Sequence, residues 1–238
     1  MSVAIIDGDV LVYMSIWKSE TKEEALSKFE ELFQENCEAV FATDYVMALG
    51  GPDNFRLDLY EDYKGNRTKA KSSRPDWFLD LKSDIEAKYD GCVFSENCEA
   101  DDLVRIWANE CAKQDVPHTV ITVDKDLDCI IGNHYNPRKG QFYVVGQEYA
   151  TRFYWKQVLM GDSTDNIPGI SKVGPVKADK ILDNGTDFKT SVCKAYYDYY
   201  GDSGYEYMIA NGRLIHIWRT LNDHFKVKRS FYNDAIKK

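Results

Sequence analysis

Two hydrophobic rhythms alternate along this chain. The continuous apolar run Val3-Ala4-Ile5-Ile6 reads as a strand buried on both faces, and Thr21-Lys22-Glu23-Glu24 then opens a helix carrying Leu26, Phe29, Leu32 and Phe33 at helical spacing. The alternation repeats with Tyr45-Val46-Met47-Ala48-Leu49, which stops at Gly50-Gly51-Pro52, and with a helix opened by Pro75 that places Trp77, Phe78, Leu81 and Ile85 on its apolar side. A third helix from about Glu99, with Leu103, Trp107 and Cys111 spaced four apart, leads into the β-rich run His118–Val123. Strands alternating with helices predict an α/β fold, a mostly parallel central sheet with helices on both faces. After residue 140 the character changes: Gln141-Phe142-Tyr143-Val144-Val145 reads as one more strand, and the remainder is helix punctuated by Gly and Lys. A boundary near 150 follows, dividing the chain into residues 1–150 and a helical region, 151–238. The run Tyr196-Tyr197-Asp198-Tyr199-Tyr200 is favoured as helix packing over base stacking.

Composition narrows the class. With 238 residues, 44% hydrophobic and 29% charged, the chain has the balance of a soluble globular protein, and no apolar run approaches the roughly 20 residues of a membrane span. The N-terminus enters a strand at once, without a basic start or a small-residue cleavage site, so a cytoplasmic location is expected and no membrane partner. Six cysteines lie in apolar segments without CxxC spacing, which favours buried thiols over zinc or disulfides.

The acids are where chemistry enters. Asp7, Glu99/Asp101/Asp102, Asp124/Asp126 and Asp162/Asp165 form four tight clusters, and Asp7 and Asp124 directly follow strands. In open α/β sheets ligands bind beyond the carboxyl ends of strands, and Glu99 and Asp102, three apart at a helix start, share one face. Hard divalent cations take oxygen ligands, so converging carboxylates point to a Mg²⁺ or Mn²⁺ site and phosphodiester chemistry. Asp7-Gly8-Asp9 alone favours an ordinary turn, and the Glu99–Asp102 cluster alone would serve as an acidic helix cap. Asp128 is expected on the following helix, facing solvent. Removing the eight clustered acids from the net charge of −9 leaves −1, so the global charge does not exclude a nucleic-acid partner. Cations concentrate at Lys64, Arg67, Lys69, Lys71 and Arg74, five in eleven residues without an acid, and again at Lys172, Lys177 and Lys180.

Gly161-Asp162-Ser163-Thr164-Asp165-Asn166-Ile167-Pro168-Gly169-Ile170-Ser171-Lys172-Val173-Gly174-Pro175 ends in a helix-hairpin-helix loop pattern, about residues 161–182. Gly169 and Gly174 allow a tight turn and close approach to a phosphate. Pro175 starts a helix whose N–H groups can face an anion, and Lys172 and Lys177 add counter-charge.

Taken in order, Ile6-Asp7-Gly8-Asp9, Asn54-Phe55-Arg56, Tyr63-Lys64-Gly65-Asn66-Arg67, Glu99-Ala100-Asp101-Asp102, Thr122-Val123-Asp124-Lys125-Asp126 and the Gly161–Gly174 segment resemble the 5′-nuclease superfamily of flap endonucleases and 5′→3′ exonucleases with a PIN-like fold. With Asn211-Gly212-Arg213-Leu214 and Asn222-Asp223-His224-Phe225, the chain looks most like the exonucleases of T-odd bacteriophages. The resemblance implies a metal-dependent 5′→3′ exonuclease acting on duplex DNA, or on RNA in RNA–DNA hybrids, in phage replication or recombination within the host cytoplasm, with replication proteins as conceivable partners. It implies two ions: the first held or oriented by Asp7, Glu99, Asp101 and Asp124, the second served by Asp126, Asp162 and Asp165, with Asp102 completing the acidic wall. Lys64 and Arg67 resemble the basic residues that contact the scissile phosphate from the base of a helical arch, placed here at about 64–90, and Lys69, Lys71 and Arg74 would add DNA contacts. The hairpin, through Gly169, Lys172, Gly174 and Lys177, would hold duplex backbone and a K⁺.

Two departures from the family pattern stand out. Gly51 falls in the slot of an aspartate usual after the second strand, and Asp53 either substitutes for it or is an ordinary turn acid. The 31 residues between Arg67 and Glu99 make a short arch, which favours plain exonuclease over flap-specific cutting. The alternatives are a structure-specific flap endonuclease and a non-catalytic binder of branched DNA; an unrelated carboxylate-metal phosphatase is disfavoured by the hairpin and the basic loop.

Overall fold

The computed structural model describes residues 2–67, 74–185 and 187–237. They fall into two compact units, each interrupted in sequence: Met1–Asn54, Ser73–Gly146 and Ile217–Leu221 form the first, and Phe55–Ser72, Gln147–His216 and Asn222–Lys238 the second. The main change of character thus lies at 146/147. The chain also leaves the first unit before the basic segment and returns to it for five residues late on.

The first unit is built on a six-stranded sheet in the order β3 (Cys92–Phe94), β2 (Asp44–Leu49), β1 (Val3–Asp7), β4 (His118–Ile121), β5 (Gly132–Asn136) and β6 (Gln141–Val145). All neighbours are parallel except β5 and β6, which pair antiparallel. β1 is buried along its whole length, as a central strand covered on both faces must be. Ala4 and Ile6 join a core with Leu11 and Val12 of α1 (Gly8–Ile16), Phe29 of α2 (Lys22–Ala39) and Leu81 and Ile85 of α4 (Phe78–Lys88). Ile5, fully buried between them, points to the other face, where α5 (Ala100–Lys113) packs across β1, β2 and β4.

Several elements differ from the sequence expectation for physical reasons. Asp7-Gly8-Asp9 is not a free turn but the junction at which β1 passes directly into α1, with Asp7 as N-cap. β5 is largely polar, and its partners on both sides hold it extended. In α5 the buried stripe is Ala100, Val104 and Ala108, while Leu103, Trp107 and Cys111 remain half-buried. Asp128 does not face solvent; it lies in the 3₁₀ turn Lys125–Cys129 and accepts a hydrogen bond from the Tyr143 hydroxyl at 3.0 Å.

The second unit is helical: α3 (Phe55–Leu59), α6 (Gln147–Met160), α7 (Pro175–Asp183), α8 (Phe188–Tyr200), α9 (Gly204–Ile215) and α10 (Arg229–Ala235). Its core gathers Trp155, Val158, Leu159, Ala178, Val192, Tyr196, Met208, Phe225 and Tyr232. Tyr196 is fully buried, donating to the Val158 carbonyl at 2.7 Å and accepting from Asn211 at 2.8 Å, so this member of the tyrosine run packs rather than stacks on a ligand. Losing one such partner leaves a buried polar atom, at a cost of about 1–3 kcal/mol. No helix among the described residues is long and apolar enough to cross a membrane, and all six cysteines are free thiols.

Candidate active site

Asp7 and Asp124 stand where β1 and β4 end. Parallel pairing sets Ile6 opposite Ile121, so Asp7 and the segment following Ile121 leave the same edge of the sheet. Thr122, fully buried, joins them: its hydroxyl donates to Asp7 Oδ2 at 2.9 Å and accepts from the Asp124 amide at 2.9 Å. Asp124 Oδ1 in turn accepts from the Asp126 amide at 2.8 Å, starting the 3₁₀ turn. Asp7 is 4% exposed. Burial first, then the negative charges of Asp9 and Asp124, push its carboxyl up to about 7 against the lowering effect of the Thr122 hydrogen bond. A buried carboxylate crowded by like charges is a place where a cation is strongly favoured.

The acids at the start of α5 are placed unequally. Glu99, the N-cap, has its carboxylate fixed by the Asn54 side-chain amide at 2.8 Å. Asp101 is half-buried on the first turn. Asp102 is fully buried, and its oxygens accept from the amides of Glu99 at 2.9 Å and Trp218 at 2.8 Å. It therefore anchors the helix start to the returning segment 217–221. Among the described residues, no three His, Cys, Asp or Glu side chains stand close enough together to enclose an ion directly. The all-oxygen donors suit a hard cation that keeps much of its water. Asp53 is exposed, and among the described residues no hydrogen bond or ion pair ties it to the other acids.

The second unit presents a different cluster. Asp162 and Ile167 close a small antiparallel bridge through paired backbone bonds of 2.9 and 2.7 Å, and Asp162 Oδ1 accepts from the Thr164 amide at 2.7 Å. Positive φ at Gly161 (69°) and Gly169 (51°) permits this turn; a Cβ at either would lie 2.1 Å from backbone atoms. The segment around Tyr63 is laced onto it. Asn66 donates to the Ser163 carbonyl at 2.7 Å, Asn166 to the Asp62 carbonyl at 2.8 Å and the Lys64 amide to the Asp165 carbonyl at 2.9 Å. The Asp165 carboxylate, 12% exposed, receives the Tyr63 hydroxyl at 3.1 Å, pairs with the Arg67 guanidinium and has Lys64 Nζ at 3.6 Å. Arg56, 1% exposed, fastens the preceding helix by donating to the carbonyls of Leu214 and His216 at 2.9 and 2.7 Å.

The hairpin is formed as its pattern predicts. Gly174 caps α7 with Pro175 in its first turn, no atom beyond its immediate chain neighbours lies within 4 Å of where a Gly174 Cβ would stand, and Lys172, Val176 and Lys177 are exposed around it. Arg74 belongs to the first unit, its guanidinium bonded to the Tyr13 hydroxyl and 4.6 Å above the Phe78 ring. Lys69 and Lys71 lie outside the described residues.

Sequence reading passed over Thr122, Asn54 and Tyr63 as functional residues. Their signal was a place inside the motifs that carry the family resemblance: Thr122 stands two before Asp124, Tyr63 directly before Lys64, and Asn54 directly before the Phe-Arg pair.

The chain is 27% identical over 150 residues to DNA polymerase I of Rhizobium leguminosarum, covering 59% of this chain and 15% of that protein. It is 26% identical over 155 residues to flap endonuclease Xni of Pseudoalteromonas translucida, covering 60% of this chain and 59% of that one. The chain thus spans a minor part of the polymerase and about three-fifths of Xni. In fold it is similar to a bacteriophage T5 flap endonuclease solved with DNA and metal ions, at a TM-score of 0.74 and 17% identity over 99% of this chain and 92% of that one. The model of the 5′-3′ exonuclease N-terminal resolvase-like domain matches residues 2–155, well over half of the sequence, and the protein belongs to that family.

Proposed function

We propose that this protein is a divalent-metal-dependent 5′→3′ exonuclease on duplex DNA. The observation that carries the reading is the Asp7–Thr122–Asp124 arrangement, in which one buried hydroxyl fixes two strand-end acids and leaves Asp7 crowded by negative charge. Asp7 and Asp124 would hold a Mg²⁺ or Mn²⁺ ion, with Glu99, Asp101 and Asp126 reaching it through water. When bound, such an ion activates a water and offsets charge developing on the phosphate. Thr122 and Asn54 keep the carboxylates of Asp7 and Glu99 in fixed orientation. Lys64 and Arg67 are the donors for phosphate charge, and Asp165 sets where both start from. Gly174, the first turn of α7, Lys172 and Lys177 would take duplex backbone phosphates without reading bases. The match to DNA polymerase I supports a place in DNA replication or repair.

The test is digestion of a 5′-labelled blunt duplex and a 5′-flap duplex with Mg²⁺, alongside Asp124→Ala and an EDTA control. Labelled mononucleotides or short products from the blunt duplex, lost in both controls, are expected. Cutting at the flap alone would select a flap endonuclease instead. Binding of the flap with no cleavage of either substrate would leave a non-catalytic branched-DNA binder.

A further inference from the structure

Lys82, on α4, is 5% exposed and is the one lysine in the buried set among the described residues. An ammonium is removed from water only where partners replace its hydration. Here Nζ lies 2.7 Å from Asp9 Oδ1 and donates to the Gly50 carbonyl at 2.7 Å, with the Phe94 and Phe78 rings 5.4 and 5.9 Å away. The other Asp9 oxygen accepts from the Gly50 amide at 3.0 Å. Asp7-Gly8-Asp9 therefore divides its two acids: Asp7 turns to Thr122, and Asp9 turns to the end of β2 and to Lys82.

The end of β2 bears no carboxylate of its own and has no room for one. A Cβ at Gly50 would stand 2.6 Å from Asp9 Oδ2, and a Cβ at Gly51 would stand 2.0 Å from the Ser95 carbonyl oxygen. Gly51 is also held by the Ser95 hydroxyl, which accepts from its amide at 2.9 Å. The carboxylate at this strand end is thus Asp9, and it already has a cation paired with it.

We propose that Lys82 is a built-in counter-ion that keeps Asp9 out of the metal-binding set and positions it, with Gly50, as a fixed wall beside Asp7. The β2 side of the acidic site then carries its own positive charge, and metal binding is left to the β1 and β4 side. This rests on the metal-dependent reading above.

Calorimetric titration of Mn²⁺ into the DNA-free protein tests it, with folding followed by circular dichroism. Relative to wild type, Lys82→Met frees the Asp9 carboxylate and is expected to bind Mn²⁺ at least tenfold more tightly or to take one additional ion. Lys82→Met/Asp9→Asn, which leaves neither charge buried, is expected to return to wild-type affinity and stoichiometry. Asp9→Asn alone should keep the wild-type number of ions. Unchanged Mn²⁺ binding in Lys82→Met, with only a lower melting temperature, would make Lys82 a purely structural residue and overturn the assignment. Loss of an ion in Asp9→Asn would overturn it too, since Asp9 would then be a ligand. Should Lys82→Met not fold, Lys82→Gln, which removes the charge but keeps a hydrogen-bond donor, takes its place under the same criteria. If wild type binds no Mn²⁺, the metal-dependent reading fails and takes this one with it. Wild-type binding that no Lys82 or Asp9 variant changes as stated sinks this one alone.

Discussion

Asp7 and Asp165 are both largely buried aspartates beside candidate catalytic residues, yet the two units treat them oppositely. In the first unit Asp7 has a hydroxyl and two neighbouring acids for company, and its carboxyl is pushed up to about 7. In the second, Asp165 has Tyr63, Lys64 and Arg67 gathered on it, so its charge is answered by the chain itself. Burial alone does not reveal what an acid is for. The two differ in the sign of what surrounds them: Asp7 faces other acids, whereas Asp165 faces the protein's own cations.

The sharpest way to break this contrast is Asp7→Asn. It should lower the rate of 5′-end hydrolysis by at least about a thousandfold, the upper end of losses for a single electrostatic group, while duplex binding measured by anisotropy persists. Arg67→Ala should cost about a hundredfold in kcat. It should also lower stability by about 1–2 kcal/mol in urea titrations, less than for a fully buried pair because Arg67 is partly exposed. Arg67→Ala/Asp165→Asn should recover the stability but not the rate, which separates the ordering of cations from catalysis. Recovery of both would show that Arg67 acts only as a partner of Asp165.

A third test uses pH on the metal-free protein. An aspartate titrates near 3.9 in an unfolded chain, whereas folded Asp7 holds its proton up to about 7. The folded state therefore binds the extra proton between these values, and the Asp7 contribution to stability falls as pH rises from about 4 to about 7, then levels. Melting temperatures across that window should show a downward component that Asp7→Asn removes and saturating Mg²⁺ flattens. The smallest effect is expected at Gly174. With open space at its Cβ position and φ of −96°, Gly174→Ala should leave stability within about 0.5 kcal/mol while weakening duplex binding by a small factor. A large loss of stability would instead make that glycine a folding requirement.

What the sequence disclosed was mostly local. Apolar runs marked β1, β2, β4 and β6, and Gly-Pro chemistry marked the hairpin, because each depends on neighbours along the chain. β5 escaped notice because Gly132, Asn133 and Asn136 lack strand propensity and are held by pairing on both sides. The acid clusters were legible as a set, but their division of labour was not. Asp102 meets Trp218 across 116 positions, and Asp165 meets Arg67 across 98, separations at which residue spacing carries no information. Gly51 was visible as a departure from a family pattern; only the Ser95 carbonyl beside it shows that the position excludes any side chain.

The late return of residues 217–221 to the first unit has a consequence for synthesis. The buried Asp102 needs the Trp218 amide, and Arg105 and Asn109 on the same helix donate to the carbonyls of Ile217 and Arg219. A ribosome must therefore synthesise the chain through Arg219 before the helix that Glu99 caps is locked, and a nascent chain stalled anywhere upstream would leave that acidic helix start unanchored.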